Sequence, residues 1–229
     1  MAIHLITGAG SGIGAATARR LHDRGDELVL VARNSQRAAE LTAQFPGSRA
    51  LVADLSDPAG IAEALAGQHL PSSLDSLMHV AGVVDIDLVG ELTPELWRRT
   101  TDVNLLAPAE LTRVFLPALR AARGHVVFVN SGSGFHAGPK WSAYAASKHG
   151  LRALGEALRA EERDNGVRVT SVYPGRVATA MQEKVHTQEG KGYEPSDWID
   201  ADSVATTILT ALDLPRDAEV TDLSVRPGP

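Results

Sequence analysis

Short apolar runs alternate along this chain with longer segments in which apolar positions recur every three to four residues. The short runs are AIHLIT (2–7), ELVLVA (27–32), RALVA (49–53), SLMHVA (76–81), HVVFVN (125–130), VRVTSVY (167–173) and AEVTDLSV (218–225). Their length and β-branched content predict strands. The helical periods between them predict helices over about 12–24, 35–44, 58–66, 94–122, 141–164 and 201–212. A strand apolar on both faces must be covered on both faces, and helices between consecutive strands supply that cover. The expected fold class is α/β, a doubly wound, Rossmann-like three-layer domain with a mostly parallel seven-stranded sheet. In such sheets ligands sit at the carboxyl ends of the strands, so the residues just after each strand are the first candidates for chemistry.

Composition narrows the picture. A length of 229 residues suits one such domain, and we expect a single unit over 1–229. The net charge of -6 gives no general basis for gripping nucleic acid or an anionic membrane. No segment approaches the ~20 apolar residues of a membrane helix. The start MAIHLITG lacks a basic region ahead of a long apolar run, and there is no cysteine for a disulfide, so the cytoplasm is the expected compartment.

The first predicted strand runs into TGAGSGIG (7–14) and a helix follows. Glycines at 8, 10, 12 and 14 let the backbone turn tightly, while the helix N-terminus offers amides and a positive dipole end to a pyrophosphate. A glycine cluster alone is weak, but its place between strand and helix is the context a dinucleotide site requires. Its form, Thr7-Gly8-x-x-x-Gly12-x-Gly14, resembles the short-chain dehydrogenase/reductase family. That resemblance puts Gly8, Gly10, Ser11, Gly12, Ile13 and Gly14 in the cofactor-binding set.

Where a ribose-binding acid normally ends the second strand of this fold, the chain reads VLVARN. A guanidinium at Arg33 pairs with a 2'-phosphate that a carboxylate would repel, so the expected cofactor is NADP(H) rather than NAD(H). A solvated loop arginine is the plainer reading. Asp54, with Leu55 beside it, resembles the family position at the adenine ring, although it could also cap a helix near Pro58, a task for which Asp57 is better placed.

The fifth strand delivers NSGSG (130–134), and Ser131 stands thirteen positions before Tyr144 in SAYAASKHG (142–150). On a helix Tyr144 and Lys148 share one face. An ordinary surface contact would look the same, but serine, tyrosine and lysine at this spacing resemble the family's catalytic set. A tyrosine of pKa near 10 needs a neighbouring cation to serve as acid or base at neutral pH, and Lys148 supplies one. Ser131 would donate to the same substrate oxygen. The resemblance makes Asn104, in TDVNLLAP, a fourth catalytic residue holding a water behind Lys148; a buried structural hydrogen bond is its alternative. Lys148 and Tyr144 also join the cofactor set, with Ala81, Gly82, Pro174, Gly175, Val177 and Thr179, the last of which could instead be a helix cap. One departure stands out: Val80 in HVAG occupies the position of the family's asparagine.

No histidine pair has metal-ligand spacing with a supporting acid, so no metal is expected. Residues 180–199 lack a sustained apolar period and contain Gly190 and Gly192, which reads as a mobile flap over the substrate. Trp141, Phe135, His136 and Met181 are the expected pocket walls. The resemblance implies an enzyme interconverting a small-molecule carbonyl and a secondary alcohol, and pairing as a homodimer or homotetramer through the helix of Tyr144 and the one before it. A cofactor sensor without turnover is the alternative, against which the full Ser131, Tyr144 and Lys148 set weighs.

Overall fold

The computed structural model describes residues 1–228; Pro229, the last residue of the expected domain, lies outside them. The apolar runs form seven strands: β1 (Ile3–Thr7), β2 (Glu27–Ala32), β3 (Arg49–Val52), β4 (Ser76–His79), β5 (His125–Val129), β6 (Arg168–Pro174) and β7 (Asp222–Val225). They make one sheet in the order β3-β2-β1-β4-β5-β6-β7, and every pairing is parallel. The chain builds outward from β1 to β3, then returns to place β4 on the other side of β1. This reversal opens a crevice between the carboxyl ends of β1 and β4, where a ligand site is expected.

Eight α-helices flank the sheet among the described residues: α1 (Gly12–Asp23), α2 (Ser35–Gln44), α3 (Ile61–Ala66), α4 (Pro94–Thr101), α5 (Ala107–Ala122), α6 (Ser142–Glu162), α7 (Ala180–Glu189) and α8 (Ala201–Leu212). None is long and apolar enough to cross a membrane. Side chains alternate across each strand and so feed two cores. On one face Leu5, Leu77, Val126 and Phe128 meet Leu111 and Phe115 of α5 and Leu151 and Leu158 of α6. On the other, Ile6, Leu30, Met78 and Val127 meet Leu21 of α1, Leu41 of α2 and Ile208 of α8. Phe128 is fully buried, and truncating such a ring to alanine costs about 3–5 kcal/mol.

Three elements differ from their sequence pattern. The apolar period over 94–122 runs through α4 and α5, but residues Asp102–Leu106 between them form a π-helical turn that inserts Asn104 sideways into the fold. Residues 58–66 begin as a 3-10 turn, Pro58–Gly60, which Asp57 caps by accepting from Gly60 N at 3.3 Å. The last strand is only four residues long, because the residues at 219 and 220 are held through side chains rather than a ladder: Glu219 Oε1 accepts from Val169 N, and Thr170 Oγ1 donates to Val220 O.

Candidate active site

β1 passes through residues 8–11 into α1, and packing leaves no room for side chains at two turns of this loop. Gly12 holds φ +50°, and a Cβ there would stand 2.9 Å from Thr179 Cγ2; at Gly14 it would meet Gly8 O at 2.2 Å. Helices α2, α4, α7 and α8 have their first amides capped by the side chains of Asn34, Thr93, Thr179 and Asp200. Ser11 makes no such bond to α1, as is also true before α3, α5 and α6, so the first amides of α1 are uncapped where the glycine loop borders the crevice. Thr7 Oγ1 accepts from Val80 N at 3.0 Å and Ala81 N at 3.1 Å, fixing the opposite wall. These features fit a dinucleotide pyrophosphate.

Past the loop, Arg33 follows β2, is exposed, and forms no ion pair among the described residues. A second guanidinium is nearby: Arg37 lies over Gly10, its Nη2 only 1.7 Å from where a Cβ would stand. Arg37 Nη1 also donates to Glu40 at 2.6 Å. The Asp54 carboxylate accepts from Ser56 N at 2.9 Å and Ser56 Oγ at 2.7 Å, closing a local turn. Leu55 packs on the first core. Gly10, Arg33, Asp54 and Leu55 lie outside the enclosed part of the crevice, a cleft of about 480 Å³.

That cleft is lined by the remaining glycines of the loop, Ser11, Ile13, Ala81, Gly82, Ser131, Tyr144, Lys148, Pro174, Gly175, Val177 and Thr179, so the sequence-derived residues converge there. Tyr144 and Lys148 share the buried face of α6, with Lys148 Nζ 5.7 Å from the Tyr144 ring centre. Nζ donates to Val129 O, the end of β5, at 3.0 Å. Burial holds the Lys148 ammonium down to about 8. Burial also pushes the Tyr144 phenol up, against the opposing pull of the Ser131 hydroxyl. Desolvation is the larger of the two causes in the ligand-free chain.

Asn104 does not line the cleft. Its side chain accepts from Val83 N at 2.8 Å and donates to Val83 O at 2.9 Å and to Ser147 Oγ at 3.1 Å. Ser147 Oγ in turn donates to Tyr144 O at 2.7 Å, so the amide ties the loop after β4 to the turn of α6 that carries Tyr144 and Lys148. Thr179 is both a cleft residue and the α7 cap, accepting from Gln182 N at 3.3 Å.

Residues 180–199 are not a loop throughout. Ala180–Glu189 forms α7, stopped by Gly190 in the left-handed conformation, and Gln182, Val185 and His186 are buried. His186 packs between Tyr193 and Trp198, with ring centres 5.2 and 5.1 Å away. Polar and aromatic contacts thus replace the apolar stripe that would have marked a helix. Trp141 and Met181 line the cleft as expected, whereas Phe135 and His136 do not. Phe135 turns away to stack on Tyr173 at 4.3 Å, with Arg152 over its ring at 4.7 Å.

Known proteins share this arrangement. A family model described as short chain dehydrogenase matches residues 2–190. The chain belongs to this family. It is 35% identical to the dehydrogenase/reductase SDR family member 7B of Bos taurus, over 92% of this chain and 70% of that protein. Among solved structures it resembles an alcohol dehydrogenase from Thermococcus sibiricus complexed with 5-hydroxy-NADP, at 27% identity, TM-score 0.81 and full coverage of both chains. It also resembles a 4-hydroxyisoleucine dehydrogenase complexed with NADH, at 25% identity and TM-score 0.85, covering 100% of this chain and 98% of that one. This short-chain dehydrogenase is thus an oxidoreductase on a nicotinamide-binding fold.

Two residues of the site were missed in the sequence reading. Asn130 accepts from Ser131 N at 2.9 Å and donates to Lys148 O at 3.1 Å, joining the serine's strand to the lysine's helix. Its place between a buried strand and Ser131 was the available signal. Arg37, four positions after Arg33 and in the first turn of α2, was the other. Val80, the departure from the family pattern, packs its side chain on the second core, and Thr7 holds its amide.

Proposed function

We propose that this short-chain dehydrogenase is an NADP(H)-dependent enzyme that interconverts a carbonyl and a secondary alcohol, with Tyr144 as general acid and base. The observation that carries the reading is the convergence of Ser131, Tyr144 and Lys148 in one cleft with the uncapped start of α1. A nicotinamide cofactor, which the glycine loop, Ala81, Gly82, Pro174, Gly175 and Thr179 would hold, would supply or accept the hydride. In carbonyl reduction Tyr144 gives its phenolic proton to the substrate oxygen, and Ser131 Oγ donates a second hydrogen bond to that oxygen as negative charge develops. In alcohol oxidation the phenolate takes the proton back, with Lys148 as its nearby cation. Asn104 and Asn130 hold these groups in register through Val83, Ser147 and Lys148.

The neighbours bind NADP-type and NADH cofactors alike, so the preference for NADP(H) rests on this chain's own Arg33 and Arg37. Arg37 lies over Gly10, and Arg33 is exposed just after β2, which supports a pairing of either with a 2'-phosphate. We also read the chain as one domain over 1–229 acting in the cytoplasm on a small molecule, as a homodimer or homotetramer. Leu106, 44% exposed at the head of α5, supports pairing on that face; light scattering showing a monomer at working concentration would refute it.

Thermal shift tests the cofactor assignment, because a ligand that binds the native state raises the melting temperature with its occupancy. NADPH should shift the protein more than NADH at equal concentration, and Arg33→Ala with Arg37→Ala should erase the difference. A larger shift with NADH overturns it.

A further inference from the structure

Around Tyr144 one wall of the cleft is apolar. Val84 and Val185 are 3% and 2% exposed and form a cluster with Tyr144, against which Trp141 packs. The Trp141 ring meets Tyr144 edge-on, with centres 5.6 Å apart at 69°. Met181, 38% exposed, lines the same cleft at the start of α7.

Charge is accounted for elsewhere. Among the described residues two charged side chains line the cleft, Lys148 and Arg176. Lys148 lies beside Tyr144 and is bonded to Val129 O. Arg176 makes two bonds to Glu189, at 2.5 and 3.0 Å, and its guanidinium stacks 5.4 Å from the Trp198 ring. At the mouth, Asp85 takes both Lys184 and, at 3.5 Å, Arg99. A substrate carboxylate entering here would lose its hydration and find Arg176, Arg99 and Lys184 already paired. Gln182 is the neutral polar group of this wall, and its amide is held by His186 Nδ1 at 2.9 Å.

We propose that the substrate is an uncharged ketone or secondary alcohol bearing a flat apolar arm, which lies against Trp141 and Val185 while its oxygen meets Ser131 and Tyr144. This rests on the reading of the site as a carbonyl–alcohol oxidoreductase. An edge-on aromatic partner and apolar walls favour an aryl group over a branched aliphatic one. The cation that could argue otherwise is Arg226. It sits behind Gly132, donates to Tyr173 O at 3.1 Å, and has no carboxylate partner among the described residues.

Two ketones that differ by one carboxylate, acetophenone and 4-acetylbenzoate, test the proposal. Calorimetry on the NADPH complex of Tyr144→Phe reads binding without turnover. Acetophenone should bind at least tenfold more tightly than 4-acetylbenzoate. Trp141→Ala should weaken acetophenone at least tenfold, Trp141→Phe should largely keep it, and Arg226→Ala should leave it unchanged. Tighter binding of 4-acetylbenzoate, or acetophenone affinity indifferent to Trp141→Ala, overturns the proposal, as does failure of both ketones to bind. NADPH consumption by the wild-type protein separates the two readings. Trp141-dependent binding of acetophenone without consumption would sink the oxidoreductase reading and keep the substrate class. Consumption with 4-acetylbenzoate that Arg226→Ala abolishes would do the reverse.

Discussion

Strand β5 has a buried base at each end. At its start, His125 is 2% exposed and its Nε2 pairs with Thr170 Oγ1 at 2.7 Å. Because that hydroxyl donates to Val220 O, the imidazole must be the donor. At its finish, Lys148 is 4% exposed and donates to Val129 O. Burial lowers the proton affinity of both, His125 to about 3 and Lys148 to about 8. Their surroundings differ. Arg168 and Arg216 add repulsion at His125, it lies outside the cleft of Tyr144, and its hydroxyl partner is spent. Lys148 borders a cleft that also holds Tyr144 and Ser131. Desolvation alone therefore marks packing, whereas desolvation beside a second titratable group and an open cleft marks a place for proton transfer.

Substitutions at the two ends should separate these roles. The largest effect is expected for Tyr144→Phe. It should cut kcat by about 10²–10⁴, the range for loss of a general acid, with NADPH affinity within twofold by fluorescence titration. If His125→Gln reduced kcat as much, the contrast between the two ends would collapse.

Lys148→Met should also lose activity yet stabilise the ligand-free protein, because it removes a buried charge whose one bond is to a carbonyl. The gain is roughly 2 kcal/mol at pH 7 by denaturant unfolding. The folded proton affinity, about 8, lies below the ordinary 10.5. The unfolded chain therefore holds the proton better, and the folded state's penalty is full below pH 8 and fades as pH rises toward 10.5. The stabilising effect of the variant should shrink over the same window. A variant less stable than wild type at pH 7 would show that the ammonium is a structural asset.

At the other end, Thr170→Val leaves the His125 N–H without an acceptor and should cost about 1–3 kcal/mol of stability while kcat/KM stays within twofold. The smallest effect is a slope. His125 titrates at about 3 when folded against 6.5 as its ordinary value, so stability should fall as pH drops from 6.5 toward 3. His125→Gln, which keeps a donor for Thr170 but cannot titrate, should flatten part of that loss in melting curves between pH 7 and 4.

The same physical distinction governs what could be read in the sequence. The order of strands and helices was legible because central strands such as HVVFV are buried on both faces and leave an unbroken apolar run. The glycine loop, Ser131, Tyr144 and Lys148 were legible because close backbone approach and proton transfer admit few residue types, at spacings the local helix or strand dictates. The α7 helix was not, since it is set by the Thr179 cap and by His186 between Tyr193 and Trp198. Nor was the π turn at Asn104, because the apolar period of 94–122 passes through it unbroken and the bonds to Val83 are long-range. Tyr144's proton affinity depends on desolvation, which no spacing encodes.

The central claim is that Tyr144 transfers the proton that accompanies hydride transfer. Its most direct test is a stopped-flow single turnover of the NADPH complex with a neutral aryl ketone, comparing wild type with Tyr144→Phe and measuring NADPH affinity for both. The account predicts that the variant binds NADPH as wild type does and consumes it at least about a hundredfold more slowly. A variant that keeps its rate to within a factor of a few would contradict it.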